Sequence, residues 1–448
     1  MIDGANRTDS SRLDPVTAGQ AETAQGLDKA ELVYWEGPWK GADDLQLAML
    51  GWLDHTRLRS APSYRTPAEV EAEYYRHNHP AERPLAGQPR PSSKPEAVHS
   101  ESIELRLSMR AIVYSQTGGP DVLRLVERSI PAPAIGQVRV RVHISGVNPT
   151  DWKSRRGSAP GEATPFAEVV PNQDGAGIVD ALGDGVAGLE IGQRVWIREA
   201  AWQRADGTAQ EYVVLPAANV AALPPGASLE LGASLGIPAL TAHRCLTSSE
   251  FGPNRLSPGS LAGRAVLVAG GAGAVGHAAI QLALWAGAEV ITTVSGPVKA
   301  ELARRAGAEH VINYRTQEPA AQIRRLVPHG VDMVVEVAPS ENAALNSAIV
   351  ASGATIAIYA NNGGDEFTLP IRWHMTTNTR VQFVLIYRVD PEAKAHAVAA
   401  VSAAAADGAL RIGEDAGLPL HRFPLERTAD AHAAVEAGAV GKVLIDMI

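Results

Sequence analysis

One cysteine, Cys245, in 448 residues leaves no intrachain disulfide framework and no cysteine-based zinc cluster. Positive charge is also short. Lysine and arginine total 40 against 49 aspartates and glutamates, a net charge of −9, which gives no electrostatic footprint for nucleic acid or an anionic membrane. No apolar run reaches the length of a membrane span, because the longest one, around residues 265–285, is interrupted by glycines, His277 and Gln281. Residues 1–17 are polar and lack an apolar core, so no secretory leader is expected there. These absences lead to the expectation of a cytoplasmic protein. With 45% hydrophobic and 20% charged residues, the chain is long enough for two or three domains with full cores.

Three textures divide what is present. Residues 1–80 hold a group of large aromatics: Tyr34, Trp35, Trp39, Trp52, Tyr64, Tyr74 and Tyr75. Residues 81–108 are rich in proline, serine and charge without periodicity and read as a linker. From Met109 the chain turns to valine, glycine and alanine. Alternation in Val138-Arg-Val-Arg-Val-His-Ile144 marks a half-buried strand, and 175–179, 194–197 and 209–214 add short strands between Gly/Pro turns. Such spacing suggests a small barrel. Strands expected at 265–269, 289–294, 310–313, 331–337 and 354–359 then alternate with helices, the pattern of a parallel sheet.

The most informative stretch is Ala265-Val-Leu-Val-Ala-Gly-Gly-Ala-Gly-Ala-Val-Gly-His277. A buried strand runs into Gly271, Gly273 and Gly276, spaced G-x-G-x-x-G, and a helical pattern follows. Small residues let backbone approach a pyrophosphate, and the free N–H groups at the helix start hold its charge. The alternative is a buried Gly/Ala turn without a ligand. NAD-binding folds usually place a carboxylate roughly 20 residues past the glycines. Here the next strand ends Thr292-Thr293-Val294-Ser295-Gly296 with Lys299 beyond, and hydroxyls and an ammonium accept a 2′-phosphate that a carboxylate would repel. NADPH is therefore the expected cofactor.

Further motifs accompany this turn: Met109-Arg-Ala-Ile-Val113, Gly118-Gly-Pro-Asp-Val-Leu123, Gly146-Val-Asn-Pro-Thr-Asp151, Asp174-Gly-Ala-Gly177, Gly192-Gln-Arg-Val195, Gly236-Ile-Pro-Ala-Leu-Thr-Ala242, Val311-Ile-Asn-Tyr-Arg315 and Gly441-Lys-Val443. With them the chain, from Met109 onward, resembles the medium-chain dehydrogenase/reductase superfamily and, within it, the zinc-independent NADPH:quinone oxidoreductases related to ζ-crystallin. The resemblance implies an α/β protein. A GroES-like β-barrel at 109–232, completed by 375–448, would carry the substrate site. A Rossmann doubly wound parallel sheet at 233–374 would bind NADPH.

The same resemblance implies that Gly271, Ala272, Gly273, Ala274, Val275 and Gly276 form the phosphate turn, and that Ser295, Lys299 and Tyr314 lie at the 2′-phosphoadenosine. It places Ile358, Tyr359, Ala360 and Asn361 beneath the ribose and nicotinamide, Val384, Leu385 and Ile386 at the carboxamide, and Thr241 beside the nicotinamide. Zinc enzymes of this superfamily hold a catalytic metal through a cysteine and a histidine. Asn148 and Gln173 stand at those places here, and amides are poor Zn²⁺ ligands, so no metal is expected. Asn148 is then expected to donate a hydrogen bond to a substrate carbonyl, and Asp151 to orient a hydroxyl or local backbone. A quinone or enone suits hydride transfer without zinc because its developing charge delocalises. A homodimer is expected.

Two departures stand out: Lys153 and Ala159 replace tyrosines that the resemblance would place there, and Gly271 replaces an alanine. An enoyl reductase is the nearest alternative function. A nucleic-acid-binding or noncatalytic nucleotide-binding protein is an alternative of a different kind, although the acidic balance disfavours the former. Residues 21–78 resemble the C-terminal end of an insertion-sequence transposase core, with Glu22 at its third carboxylate and helices expected at 43–54 and 67–76. Without the two aspartates of that core, two-metal phosphoryl transfer has no ligand set, so a catalytically dead, partly helical appendage is expected.

Overall fold

The computed structural model describes residues 108–447. The transposase-like stretch, its two expected helices and the linker up to residue 107 lie outside the described residues.

Val138, Val140 and Val142 alternate inward at no more than 1% exposure along β3 (Gln137–Val147), the longest strand of a seven-stranded sheet. An apolar residue at every second position commits one face of a strand to the core. On one side β3 pairs with β4 (Asp174–Leu182), which continues to β5 (Arg194–Ile197) and β7 (Val220–Ala222); β6 (Tyr212–Pro216) also pairs with β3. On the other side β3 meets the C-terminal strands β15 (Lys442–Asp446) and β14 (Leu420–Pro424). A separate antiparallel pair, β1 (Ser108–Val113) and β2 (Arg124–Ser129), adds its buried residues to the same core. Helix α1 (Pro149–Arg156) follows β3 directly, starting at a proline whose fixed φ suits the first helical position.

Helix α2 (Leu229–Leu246) serves two cores. Its start packs Leu229 and Ala233 against Ile144, Ala176 and Leu444 of the barrel, and its later turns pack Leu235, Leu240 and Leu246 with Val266 and Ile280. Next come β8 (Ala265–Ala269), α3 (Ala274–Trp285), β9 (Glu289–Val294), α4 (Pro297–Arg305), β10 (His310–Asn313), α5 (Pro319–Leu326), β11 (Val331–Glu336), α6 (Pro339–Ile349) and β12 (Val350–Ile358). With α7 (Ile371–Thr376) and β13 (Arg380–Phe383) they complete a parallel sheet in the order β10-β9-β8-β11-β12-β13. Strand order reverses between β8 and β11, the switch point at which such sheets bind ligands.

Both sheets lie where the sequence places them. One boundary differs. Strand β13 belongs to the parallel sheet, and α8 (Pro391–Ala406) shares its core with α2, so the return to the barrel begins at β14 rather than at residue 375. The four residues Arg-Val-Gln-Phe of β13 are too few and too mixed to show a strand period. Helix α9 (Thr428–Glu436) packs against α1 before the chain closes on β15.

Candidate functional site

The glycine turn joins β8 to α3 at the switch point. Gly270, one residue ahead of the motif, takes a φ of +72°, which favours glycine. Gly271 fits for a steric reason: a Cβ there would fall well inside van der Waals contact of Thr292 Oγ1 on the neighbouring β9. That hydroxyl donates to the Val268 carbonyl at 2.7 Å, which fixes the threonine in place. Gly273 caps α3, so the N–H groups of Ala274, Val275 and Gly276 form its first turn and have no acceptor within the helix. Ala272 is buried beside them. Unpaired amides and the positive end of the helix dipole make this turn fit a diphosphate.

The residues expected at the 2′-phosphoadenosine meet across two neighbouring strands. Val294 and Asn313 are register partners at the ends of β9 and β10, and Ser295 and Tyr314 are the next residue of each. The Tyr314 N–H donates to the Val294 carbonyl at 3.1 Å while its ring stays half exposed. Lys299 is the third residue of α4, part-buried on the same side. At the other end of the sheet, Ile358, Tyr359, Ala360, Asn361, Val384 and Leu385 all line one cavity of about 550 Å³, with Arg244, Phe367 and Arg388. Ile386 is buried outside that lining, and Thr241 is buried within α2, one turn beyond Ile237. Along the C-terminal edge of the sheet the turn lies between Ser295 and Tyr314 on one side and the cavity on the other, an order that suits an extended dinucleotide.

The barrel contributes a cluster of buried charges. Lys442, 2% exposed, donates from Nζ to Asn148 Oδ1 at 2.7 Å and lies 3.6 Å from Asp174 Oδ2. Asn148 Nδ2 donates to the same Asp174 oxygen at 2.7 Å, leaving this buried amide one N–H in hand. Asp174 is completed by the Ile237 N–H of α2 at 2.9 and 3.0 Å; the next residue, Pro238, interrupts the helical ladder. Asp151 closes the group by accepting the Asn148 backbone N–H at 2.6 Å through Oδ2, while its buried Oδ1 has no partner. Burial is the largest influence on all three ionisable groups. It pushes the Asp151 carboxyl up to about 8, against the Asn148 N–H and with the Asp174 charge adding to the rise. It also raises Asp174 and lowers Lys442, and the attraction between those two opposes both shifts.

Gln173 turns away from this cluster: its Oε1 accepts the Ala201 N–H at 3.1 Å and so anchors the loop that follows β5. Lys153 is exposed and lies with Arg156 over the Trp152 ring, while the Ala159 carbonyl accepts the Thr117 hydroxyl at 2.6 Å. Two features had no sequence signal. Trp202, on the loop after β5, stacks on Tyr387, which follows β13, at 4.4 Å between ring centroids, and the Tyr387 hydroxyl donates to Thr150 Oγ1 at 3.2 Å. Asp174 and Lys442 stood in recognisable motifs, but nothing local revealed that they pair. Among the described residues no group of three or more His, Cys, Asp or Glu forms a metal site, and no helix is long and apolar enough to cross a membrane.

Comparisons with known proteins bear on the two domains. The alcohol dehydrogenase GroES-like domain profile matches residues 134–225, and the zinc-binding dehydrogenase profile matches residues 274–405. Pig quinone oxidoreductase is 31% identical over 343 residues, covering 75% of this chain and 97% of the relative. The human quinone oxidoreductase is 29% identical with the same coverage. A mycobacterial structure solved with NADPH aligns with a TM-score of 0.62 at 29% identity, covering 76% of this chain and all of the other.

Proposed function

Since the chain belongs to the medium-chain dehydrogenase/reductase superfamily, among relatives that are quinone oxidoreductases, we propose that it is an NADPH-dependent reductase of quinones or similarly conjugated carbonyls, working without zinc. The carrying observation is the buried cluster. At the position where zinc relatives have a cysteine ligand, the Asn148 oxygen accepts from the Lys442 ammonium, and Gln173 is engaged with the Ala201 backbone. A resident ammonium already answers the negative charge of Asp174, and an amide pair offers Zn²⁺ neither thiolate nor imidazole.

When bound, NADPH supplies the hydride. The first-turn amides of α3 would hold its diphosphate, Ser295, Lys299 and Tyr314 would take the 2′-phosphate, and the cavity from Ile358 to Leu385 would take the nicotinamide end. Thr241 and Ile386 back that end from inside the protein. The remaining N–H of Asn148 donates to the substrate carbonyl. One amide hydrogen bond stabilises far less charge than a metal, which favours acceptors that delocalise their own charge.

The active form is a homodimer. Among the described residues β13 ends the parallel sheet with an unpaired edge, and Phe383, Leu385, Ile371, Trp373 and Met375 are exposed beside it, Ile371 at 77%. An open apolar edge of this kind is covered in stable proteins. Light scattering should give twice the chain mass. The single buried cysteine suits the cytoplasm.

Steady-state NADPH oxidation with quinones in one arm and enones in the other tests the reading and separates it from an enoyl reductase. Activity should survive exhaustive chelation. A chelator-sensitive enzyme restored by zinc would overturn it.

A further inference from the structure

The barrel holds buried polar atoms that the hydride step does not use. Asp151 Oδ1, Arg155 Nε, Arg155 Nη1 and His432 Nδ1 are all buried without a partner. Asp151 and Arg155 stand four residues apart on α1 and so share a face, and α9, which carries His432, packs on that helix. Tyr114, 5% exposed just past β1, has its phenol pushed up to about 12 chiefly by burial, with Asp151 adding to the rise and Arg155 opposing it. Arg155 is itself fully buried, yet its third nitrogen, Nη2, donates at 2.7 Å to Glu436, whose side chain is 30% exposed. Between solvent at Glu436 and buried Asp151, the α1–α9 side of the barrel therefore holds Arg155, one helical turn from Asp151, while Tyr114 feels the charge of both.

Buried donors of this kind are satisfied by water, and a guanidinium holds water without surrendering its own proton. Charge balance identifies which carboxyl holds a proton. Lys442 is the one ammonium for two carboxylates. Asp174 takes it, together with the Asn148 amide and the Ile237 N–H, whereas Asp151 Oδ2 has the Asn148 backbone N–H and Oδ1 has nothing.

We propose that Asp151 is the proton donor of the reduction and that Glu436, Arg155 and Tyr114 line a water-filled route that resupplies it from the solvent on the α1–α9 side of the barrel. The inference rests on the reductase reading and deepens it. Hydride addition leaves the electron pair of the acceptor on its carbonyl oxygen. The Asp151 O–H bond then breaks as a new O–H bond forms there, and one solvent proton restores the carboxyl, so each turnover consumes one hydride and one proton. Burial is the first influence on Asp151; the Asn148 N–H opposes it, the charge of Asp174 from β4 adds to the rise, and Lys442 from β15 and the Gln173 N–H also oppose it. Tyr114 after β1 and Tyr387 from beyond β13 both feel the Asp151 charge, and Arg155 stands one turn further along its own helix. The sum keeps the carboxyl protonated at neutral pH, at a value of about 8. His432, lowered to about 3 chiefly by burial, stays neutral and borders the route without carrying charge.

Two measurements on the full-length protein test this. Infrared spectroscopy of the free enzyme should show a protonated-carboxyl band at neutral pH that is absent from Asp151→Asn. Steady-state NADPH oxidation with a quinone should then show kcat falling as pH rises through about 8, since the acid form is the donor. Asp151→Asn should lose that dependence and roughly a hundredfold in kcat, within the range for losing a general acid. Tyr114→Phe and Glu436→Gln, both conservative, should bind NADPH like the parent but lower kcat, Tyr114→Phe by about tenfold, and enlarge the solvent isotope effect. A missing carboxyl band, an alkaline limb that persists in Asp151→Asn, or wild-type kcat and isotope effects in both route variants would each overturn the proposal. Failure of the wild type to oxidise NADPH with every quinone and enone would overturn the reductase reading and the use of the route with it. Persistence of the band would distinguish that failure from the others.

Discussion

At the barrel pole, Lys442, Asp174, Asp151 and Asn148 are held by charge: Lys442 from β15, Asp174 from β4 and the Ile237 amide of α2 meet at Asn148 and Asp151, which open α1. At the glycine turn, 271–276 are held by exclusion, with Thr292 filling the space a side chain at Gly271 would need and the first turn of α3 left open to a ligand. Both regions are buried and tightly built. They differ in how a change spreads. Removing a charge strands its partner in a medium that cannot solvate it, whereas adding an atom at the turn displaces only its neighbour.

The largest effect is expected where a charge is stranded. Lys442→Met should lower the unfolding free energy by about 3–5 kcal/mol, the range for breaking a buried pair. Pairing it with Asp174→Asn should restore part of the loss, because the uncompensated carboxylate goes too. Denaturant unfolding of the two single variants and the double variant measures this, and strict additivity would show that the two residues are not coupled.

At the turn the effect should be smaller and curable by removing an atom. Gly271→Ala should cost about 1–3 kcal/mol, as overpacking does, and Thr292→Ala in the same chain should relieve it. A Gly271→Ala protein with unchanged stability and NADPH affinity would mean that Thr292 gives way without cost.

Specificity within the nucleotide region comes next. NADPH should bind at least tenfold tighter than NADH, roughly 1.4 kcal/mol, and Lys299→Ala and Tyr314→Phe should weaken NADPH while leaving NADH nearly unchanged. Equal losses for both cofactors, read by fluorescence titration, would remove these residues from the 2′-phosphate. The smallest effect belongs to the N-terminal stretch. A chain starting at Met109 should keep kcat/KM within about twofold, since residues 21–78 lack the aspartates of the core they resemble.

The same contrast explains what the sequence made legible. The turn could be read because its logic is local: glycine spacing, a preceding apolar strand and a following helix lie within about twenty residues, and the structure places β8, α3 and β9 on the expected residues. The barrel pole could be read only in part. Asn148 and Asp151 stood out as residues, but Lys442 reaches Asn148 across 294 positions of sequence, and no periodicity announces such a partnership. The Trp202–Tyr387 stack escaped for the same reason, as each ring comes from an irregular segment. Gly270 hid beside a motif that its neighbour Gly271 already satisfied, although Gly270 carries the positive φ. Strand β13 was missed because four residues are fewer than any periodic reading requires.

Helix α2 carries a consequence for how the molecule comes apart. Its first turns belong to the barrel core and its later turns to the core of the parallel sheet, and between them it gives the Ile237 amide to Asp174. Melting either sheet alone would strip this helix of half its packing and expose leucines that the surviving sheet still needs. Residues 108–447 should therefore unfold in one cooperative transition, with α2 as the shared element that disfavours a half-unfolded intermediate.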